Sequence, residues 1–139
     1  MSIRIYYDNT KYRFKGWRKT VNLIEKVIRS ENMVSGDLSF IITSDEVLRK
    51  INIEFLNHNY YTDVIAFNYN DENIVKGEIY ISKDTVKRNS HNYKVSLNNE
   101  MLRVMIHGIL HLTGYNDKTE REREFMRRKE DQCLADFKG

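Results

Sequence analysis

The chain has 139 residues, which is enough for one domain whose hydrophobic core needs no disulfide staples. Hydrophobic residues make up 40% of it, which excludes an intrinsically disordered chain, and the single cysteine excludes both an internal disulfide and a cysteine-rich metal site. The formal net charge of +3 permits a nucleic-acid partner without requiring one.

The N-terminal sequence MSIRIYYDNT contains no apolar signal segment, and no apolar run in the chain is long enough to span a bilayer. We therefore expect a soluble, cytoplasmic protein that has no membrane partner. The sequence leaves the oligomeric state open.

Alternating or continuous apolar runs rich in strand-forming residues predict four strands, at 3–8, 36–44, 62–69 and 77–82. Apolar residues at helical spacing predict helices at 17–32, 45–57, from 83 into the nineties, 97–112 and 119–137. Ser44 or Asp45, Ser82 and Ser96 stand where these helices need a side-chain oxygen as N-cap.

The last helix is a charged amphipathic segment, TEREREFMRRKEDQCLADF. We expect its apolar residues Phe125, Met126, Cys133 and Leu134 to face the core. Strands and helices are mixed without strict alternation, so the sequence predicts an α+β (mixed α/β) fold. It would be a single domain over residues 1–139, with about four strands in one sheet packed against about five helices.

The stretch HGILHLTGYND, residues 107–117, carries the clearest chemical pattern. His107 and His111 are four residues apart and so project from one face of a helix that is apolar on most of its circumference. Gly114 stands where the helix end requires a left-handed residue, and the turn can return Asp117 to the histidine face. Three such ligands with a fourth position open are typical of a catalytic zinc site. The alternative is two core histidines bonded to backbone or carboxylate groups.

Zinc proteases of the HExxHxxGxx(H/D) pattern share this spacing, but their general base is a glutamate directly after the first histidine. The corresponding residue here is Gly108, which has no side chain. The sequence therefore excludes a peptidase of that type.

Three blocks resemble the YbeY family of zinc-dependent single-strand endoribonucleases. HGILHLTGYND is similar to the family signature HGxLHLxGYDH, TDVIAF (62–67) to TDVLSF, and GEIYISKDTVKRNS (77–90) to GDIxIS…V…NA. The resemblance runs from about residue 48 to residue 130, with the blocks in the same order and spacing. It implies one Zn²⁺ ion at the end of a buried helix, single-stranded ribosomal RNA as substrate and the ribosome as partner, with no DNA expected. The implied role is ribosomal RNA processing, including maturation of the 16S rRNA 3′ end, and ribosome quality control.

The family's metal ligands map onto His107 and His111, and its third histidine maps onto Asp117, which replaces one zinc ligand with another. Asn116 stands where the family has aspartate, and Leu56 stands where it has an arginine implicated in catalysis. The resemblance thus implies a site in which His107, His111 and Asp117 act through a bound zinc. The zinc would lower the pKa of a bound water and polarise a phosphoryl oxygen.

The cationic residues near these blocks are candidates for binding the RNA phosphates, though each is also typical of a solvated surface: His58, Lys83, Lys87, Arg88 and Arg103. Three tyrosines, Tyr60, Tyr61 and Tyr69, could stack on unpaired bases or pack in the core. Asp63 and Glu78 are expected to orient strands or loops. The alternative function is a ribosome-associated RNA- or protein-binding module with a structural zinc and little catalysis.

Overall fold

The computed structural model of the protein describes residues 2–58 and 62–138, apart from the side chains of residues 136 and 138. The strands are β1 (Ile3–Tyr7), β2 (Val34–Thr43), β3 (Val64–Asn68) and β4 (Ile74–Ser82). The helices are α1 (Trp17–Ser30), α2 (Asp45–Ile51), α3 (Lys83–Tyr93), α4 (Leu97–Leu112) and α5 (Glu120–Lys138). A π-helical turn, Asn52–Leu56, continues α2.

The four strands form one sheet in the order β1-β2-β4-β3. β1 and β2 are parallel, as are β2 and β4, whereas β3 runs antiparallel to β4 and lies at an edge. The predicted mixed fold with four strands and five helices is confirmed.

Helix α4 is the centre of the core, because most of its residues are buried around the whole circumference. Its apolar side chains pack with the buried stripe of α1 and with alternate residues of β2 and β4, such as Phe40 and Ile79, both fully buried. None of the helices in the described ranges combines the length and the apolar character that crossing a membrane requires.

Gly108 allows α4 to lie directly on β4. A Cβ atom at this position would stand 2.9 Å from Cγ2 of Ile79 and 3.1 Å from its Cδ1. A glutamate here would have to enter the helix–sheet contact, where its charge would be buried without a partner. The packing thus gives the physical reason why position 108 carries no general base.

Two sequence expectations need correction. The predicted helix at 45–57 changes at Asn52 into a π-helical turn that ends at Asn57, whose φ is +56°. The spacing of apolar residues could not distinguish an α-helix from a π-helical turn, because both are right-handed helices of similar period.

The prediction that Phe125 faces the core was wrong. Phe125 is 51% exposed and stacks on Tyr115 with the ring centroids 5.7 Å apart. Its neighbour Met126 faces the core, and adjacent helical residues point about 100° apart.

The first turns of α2 and α3 are tied together by two aspartates. The carboxylate of Asp45 accepts hydrogen bonds from the hydroxyls of Ser82 and Thr85, and Arg88 donates to it at 2.8 Å. In return, the carboxylate of Asp84 accepts from the backbone N–H of Asp45 at 3.0 Å. Burial raises the pKa of Asp45, but these hydrogen bonds and the charge of Arg88 outweigh it and lower the pKa below its ordinary value.

Candidate functional site

The candidate site lies at the C-terminal end of α4 and on the loop that follows it. His107 and His111 project from one face of the helix, which ends with Thr113 as C-cap. Gly114 has a φ of +114°, and the backbone N–H of Tyr115 returns to the carbonyl of Leu110 at 3.0 Å. The predicted glycine turn is therefore present and brings the chain back towards the histidines.

Three ligand atoms converge at this point. The Nε2 atoms of His107 and His111 are 2.9 Å apart, and Oδ2 of Asp117 lies 3.2 Å from each of them. Two tetrahedral zinc ligands at 2.0–2.1 Å from the ion are separated by about 3.3 Å. The triangle formed by His107, His111 and Asp117 therefore has the size that one zinc ion requires.

The outward-facing ring nitrogens fix the tautomers of both histidines. Nδ1 of His111 lies 3.0 Å from the carbonyl of Tyr115, which can only accept, and Nδ1 of His107 lies 2.6 Å from Oε2 of Glu130. Both Nδ1 atoms therefore donate, and in the neutral rings both Nε2 atoms present lone pairs to each other. Three lone pairs facing one another, one of them on the carboxylate of Asp117, favour a shared cation.

Glu130 is a site residue that the sequence pattern did not reveal. It is buried on α5 and accepts from His107 and from Arg103, whose guanidinium also donates to Asp131 at 2.7 Å. A carboxylate that orients a ligating histidine is a recurrent feature of metal sites. The sequence did contain a signal for this role. Glu130 lies four residues after Met126 and so falls on the buried face of an amphipathic helix, where an acid needs a partner.

The acids around His107 change its protonation. Burial lowers the pKa of His107, but the hydrogen bond and charge of Glu130, with the charges of Asp63 and Asp117, raise it above its ordinary value. Burial raises the pKa of Asp63, which lies beside the site, and that of Glu100, which lies two turns before His107 on the same face of α4. The metal-free site therefore holds protons more tightly than the unfolded chain does.

Two cavities meet at the candidate ligands. The β3-edge cleft, of about 530 Å³, runs along residues 64–66 of β3 and is also lined by Leu56, His58 and Lys118. The α5 cavity, of about 360 Å³, lies between α3, α4 and α5. His107, Asp117 and Asp63 line both cavities.

The predicted phosphate-binding residues divide between these places. His58 lines the β3-edge cleft, and Arg103 lines the α5 cavity while paired with its two acids. Lys83, Lys87 and Arg88 line neither cavity, and Arg88 is paired with Asp45, so RNA contact by these three stays a prediction.

Of the other sequence candidates, Tyr69 is 54% exposed and donates to Glu78 at 3.0 Å. Tyr60 and Tyr61 lie outside the described residues. Leu56 is exposed on the wall of the cleft, where the resemblance leads one to expect an arginine.

We expect Glu130→Gln to weaken zinc binding about 10- to 100-fold, because the substitution removes the charge that orients and polarises His107. Asp131→Asn is the matched control, since Asp131 also accepts from Arg103 but does not contact His107. Zinc dissociation constants from competition with a chelator check this. Equal constants for the two variants would show that Glu130 only holds Arg103.

We also expect the metal-free protein to lose stability as pH rises from about 6.5, the ordinary imidazole pKa, through the raised pKa of His107. The folded state holds this proton more tightly, so the stabilisation is complete below the ordinary pKa and disappears above the raised one. Zinc binding requires neutral imidazoles, so stabilisation by zinc should grow over the same range. Thermal midpoints with chelator or zinc check both trends; a metal-free midpoint that rises with pH contradicts the first.

Comparison with known proteins agrees with this geometry. The sequence pattern of the family described as Endoribonuclease YbeY matches residues 5–138. The chain is 51% identical to the Endoribonuclease YbeY of Christiangramia forsetii, over 84% of this chain and 81% of that protein. It is 41% identical to that of Parabacteroides distasonis, over 90% of this chain and 84% of that protein. The solution structure of TM1509 from Thermotoga maritima superposes with a TM-score of 0.63 at 28% identity, covering 99% of this chain and 92% of that one. The chain belongs to the Endoribonuclease YbeY family.

Proposed function

We propose that this protein is a metal-dependent endoribonuclease that cleaves single-stranded RNA during ribosomal RNA processing. The observation that carries the proposal is the convergence of three lone pairs, from His107, His111 and Asp117, within 3.2 Å of one another. The site faces two cavities, so a polymer chain can reach it and continue past it. Membership of the family supports the same reaction class.

The metal we propose is a single zinc ion, because two imidazoles and one carboxylate at this spacing are a common zinc donor set. A zinc ion held here would supply Lewis-acid chemistry, polarising a phosphoryl oxygen and making water a better nucleophile. The protein's own contribution is to fix the ligand geometry. Glu130 holds the ring of His107, the carbonyl of Tyr115 holds the ring of His111, and the Gly114 turn holds Asp117.

The proposal extends to the 3′ end of 16S rRNA as target, to ribosome quality control and association, and to a cytoplasmic location. It treats residues 1–139 as one catalytic domain. The alternative of a binding module with a structural zinc is not favoured. Among the described residues, the candidate metal group contains His107, His111 and Asp117 only, whereas structural zinc sites have four protein ligands.

Elemental analysis of the untagged protein, together with cleavage of single-stranded RNA, tests this function. We expect about one zinc per chain, cleavage of single-stranded but not double-stranded RNA, loss of cleavage with a chelator and recovery with zinc. Zinc binding without any RNA cleavage would favour the binding module. The absence of both would contradict the proposal.

A further inference from the structure

The α5 cavity has an unusual arrangement of charge. Four acids line it: Asp63, Glu100, Asp117 and Glu130. Glu130 is engaged by His107 and Arg103, Asp117 lies 3.2 Å from both site histidines, and Glu100 is only 5% exposed. Burial raises the pKa of Glu100 and so favours its neutral form. Glu130 and Asp117 therefore have partners within the protein, and the exposed cationic groups of the cavity lie on α5.

Two arginines of α5, Arg123 and Arg127, stand at the outer end of the same cavity. One terminal nitrogen of Arg123 donates to the carbonyl of Lys118 at 2.9 Å, which leaves its other terminal nitrogen available. Arg127 is exposed, and its guanidinium makes no hydrogen bond or ion pair with any residue in the described ranges. The cavity thus presents guanidinium donors whose hydrogen-bonding capacity the protein does not use.

The remaining wall of the cavity is suited to a nucleobase. Tyr93, the last residue of α3, lines the cavity and is 56% exposed, and Asn89 lies one turn earlier on the same helix. An exposed aromatic ring offers a stacking surface to any unpaired base. His107 and Asp117 line both cavities, so an RNA chain that crosses them from the β3-edge cleft enters the α5 cavity.

We propose that the α5 cavity binds the nucleotide next to the scissile phosphate of a single-stranded RNA. Arg127 and Arg123 contact its phosphodiester, and Tyr93 stacks on its base. The inference rests on the proposed endoribonuclease function, since it defines where that substrate lies. It also supplies guanidinium groups to a site in which the family's arginine position is occupied by Leu56.

Equilibrium binding of a fluorescently labelled oligouridylate tests the inference, measured by anisotropy in chelator at several salt concentrations. We expect Arg127→Ala to weaken binding about tenfold, the loss typical of a charge-assisted hydrogen bond. We also expect it to reduce the slope of log affinity against log salt by about 0.7, which corresponds to one phosphate contact on a single strand.

Arg128→Ala is the matched control. Arg128 is the next residue on α5 and is also exposed, so its removal changes the net charge equally, but it does not line the cavity. Arg128→Ala should leave the affinity close to wild type. Equal affinities and equal salt slopes for the Arg127 and Arg128 variants would overturn the proposal.

Two further arms identify the ligand. Tyr93→Ala should weaken binding several-fold, while Tyr93→Phe retains it, because stacking needs the ring and not the hydroxyl. Inorganic phosphate should displace the oligouridylate only at far higher concentration than unlabelled oligouridylate does. Displacement at comparable phosphate concentrations would identify a simple anion site and overturn the assignment to RNA.

The metal-free measurement separates this inference from the proposed function. Binding that depends on Arg127 in a protein that never cleaves RNA would support the subsite and contradict the catalytic proposal. Zinc-dependent cleavage with binding unchanged in Arg127→Ala would support catalysis and overturn the subsite.

Discussion

A His111→Ala variant is expected to lose zinc binding and RNA cleavage while it keeps its fold. The substitution removes one of three converging ligand atoms, and His107 and Asp117 alone leave half of a tetrahedral site without protein ligands. Metal-based charge stabilisation is worth several kcal/mol, so we expect cleavage to fall on the order of 1000-fold. Zinc content and single-turnover cleavage measure the two losses.

His91→Ala is the control for this prediction. His91 is exposed on α3 and lines neither cavity, so its removal should leave both measurements unchanged. Circular dichroism should show the same helix content in both variants, since the side chain of His111 is partly exposed at a helix end. A His111→Ala protein that retains zinc and cleavage would mean that the metal is held elsewhere.

The largest expected effect on stability comes from Gly77→Ala. A Cβ atom at this position would stand 2.3 Å from the backbone carbonyl oxygen of Phe67 in β3. A backbone atom inside a strand pair cannot move aside as a side chain can, so β3 would have to separate from β4. We expect a loss of about 3 kcal/mol in the free energy of unfolding, or a fall on the order of 10 °C in the thermal midpoint.

Gly16→Ala provides the comparison, because a Cβ atom there would meet nothing within 4 Å. Its φ of +83° still disfavours alanine, at about 1 kcal/mol. Urea denaturation of both variants distinguishes a steric conflict from a conformational preference. If Gly77→Ala cost no more than Gly16→Ala, the close contact between β3 and β4 would not be a constraint in solution.

The hydrophobic pattern predicted the elements well where burial decides the conformation. Apolar and polar residues alternate in β2 and β4, and α4 is apolar around its circumference. These patterns follow directly from which side chains the fold buries. The order of the strands and the antiparallel sense of β3 depend on contacts between distant segments, which local periodicity does not encode. The π-helical turn at Asn52–Leu56 was not predicted because the spacing of apolar residues does not separate an α-helix from a π-helical turn.

The candidate site was predictable where it is local in sequence. His107, His111 and the Gly114 turn lie within one helix end, so their spacing fixes their geometry. Glu130 belongs to a helix that contacts α4 only in the folded chain. The cluster Lys83, Lys87 and Arg88 shows the converse, because charge in the sequence does not reveal that Arg88 points towards Asp45.

The reciprocal aspartates at the starts of α2 and α3 have a consequence for local unfolding. α2 has seven residues, which is too short to be stable alone. Its first turn persists because Ser44 caps it, Asp84 accepts from the backbone N–H of Asp45, and the carboxylate of Asp45 anchors it to α3. The two helix starts should therefore open together, and their amide hydrogens should exchange with solvent in one cooperative event. The segment that follows α2 carries Leu56 and His58, which line the β3-edge cleft. The rigidity of this wall therefore depends on α2, although α2 itself does not line the cleft.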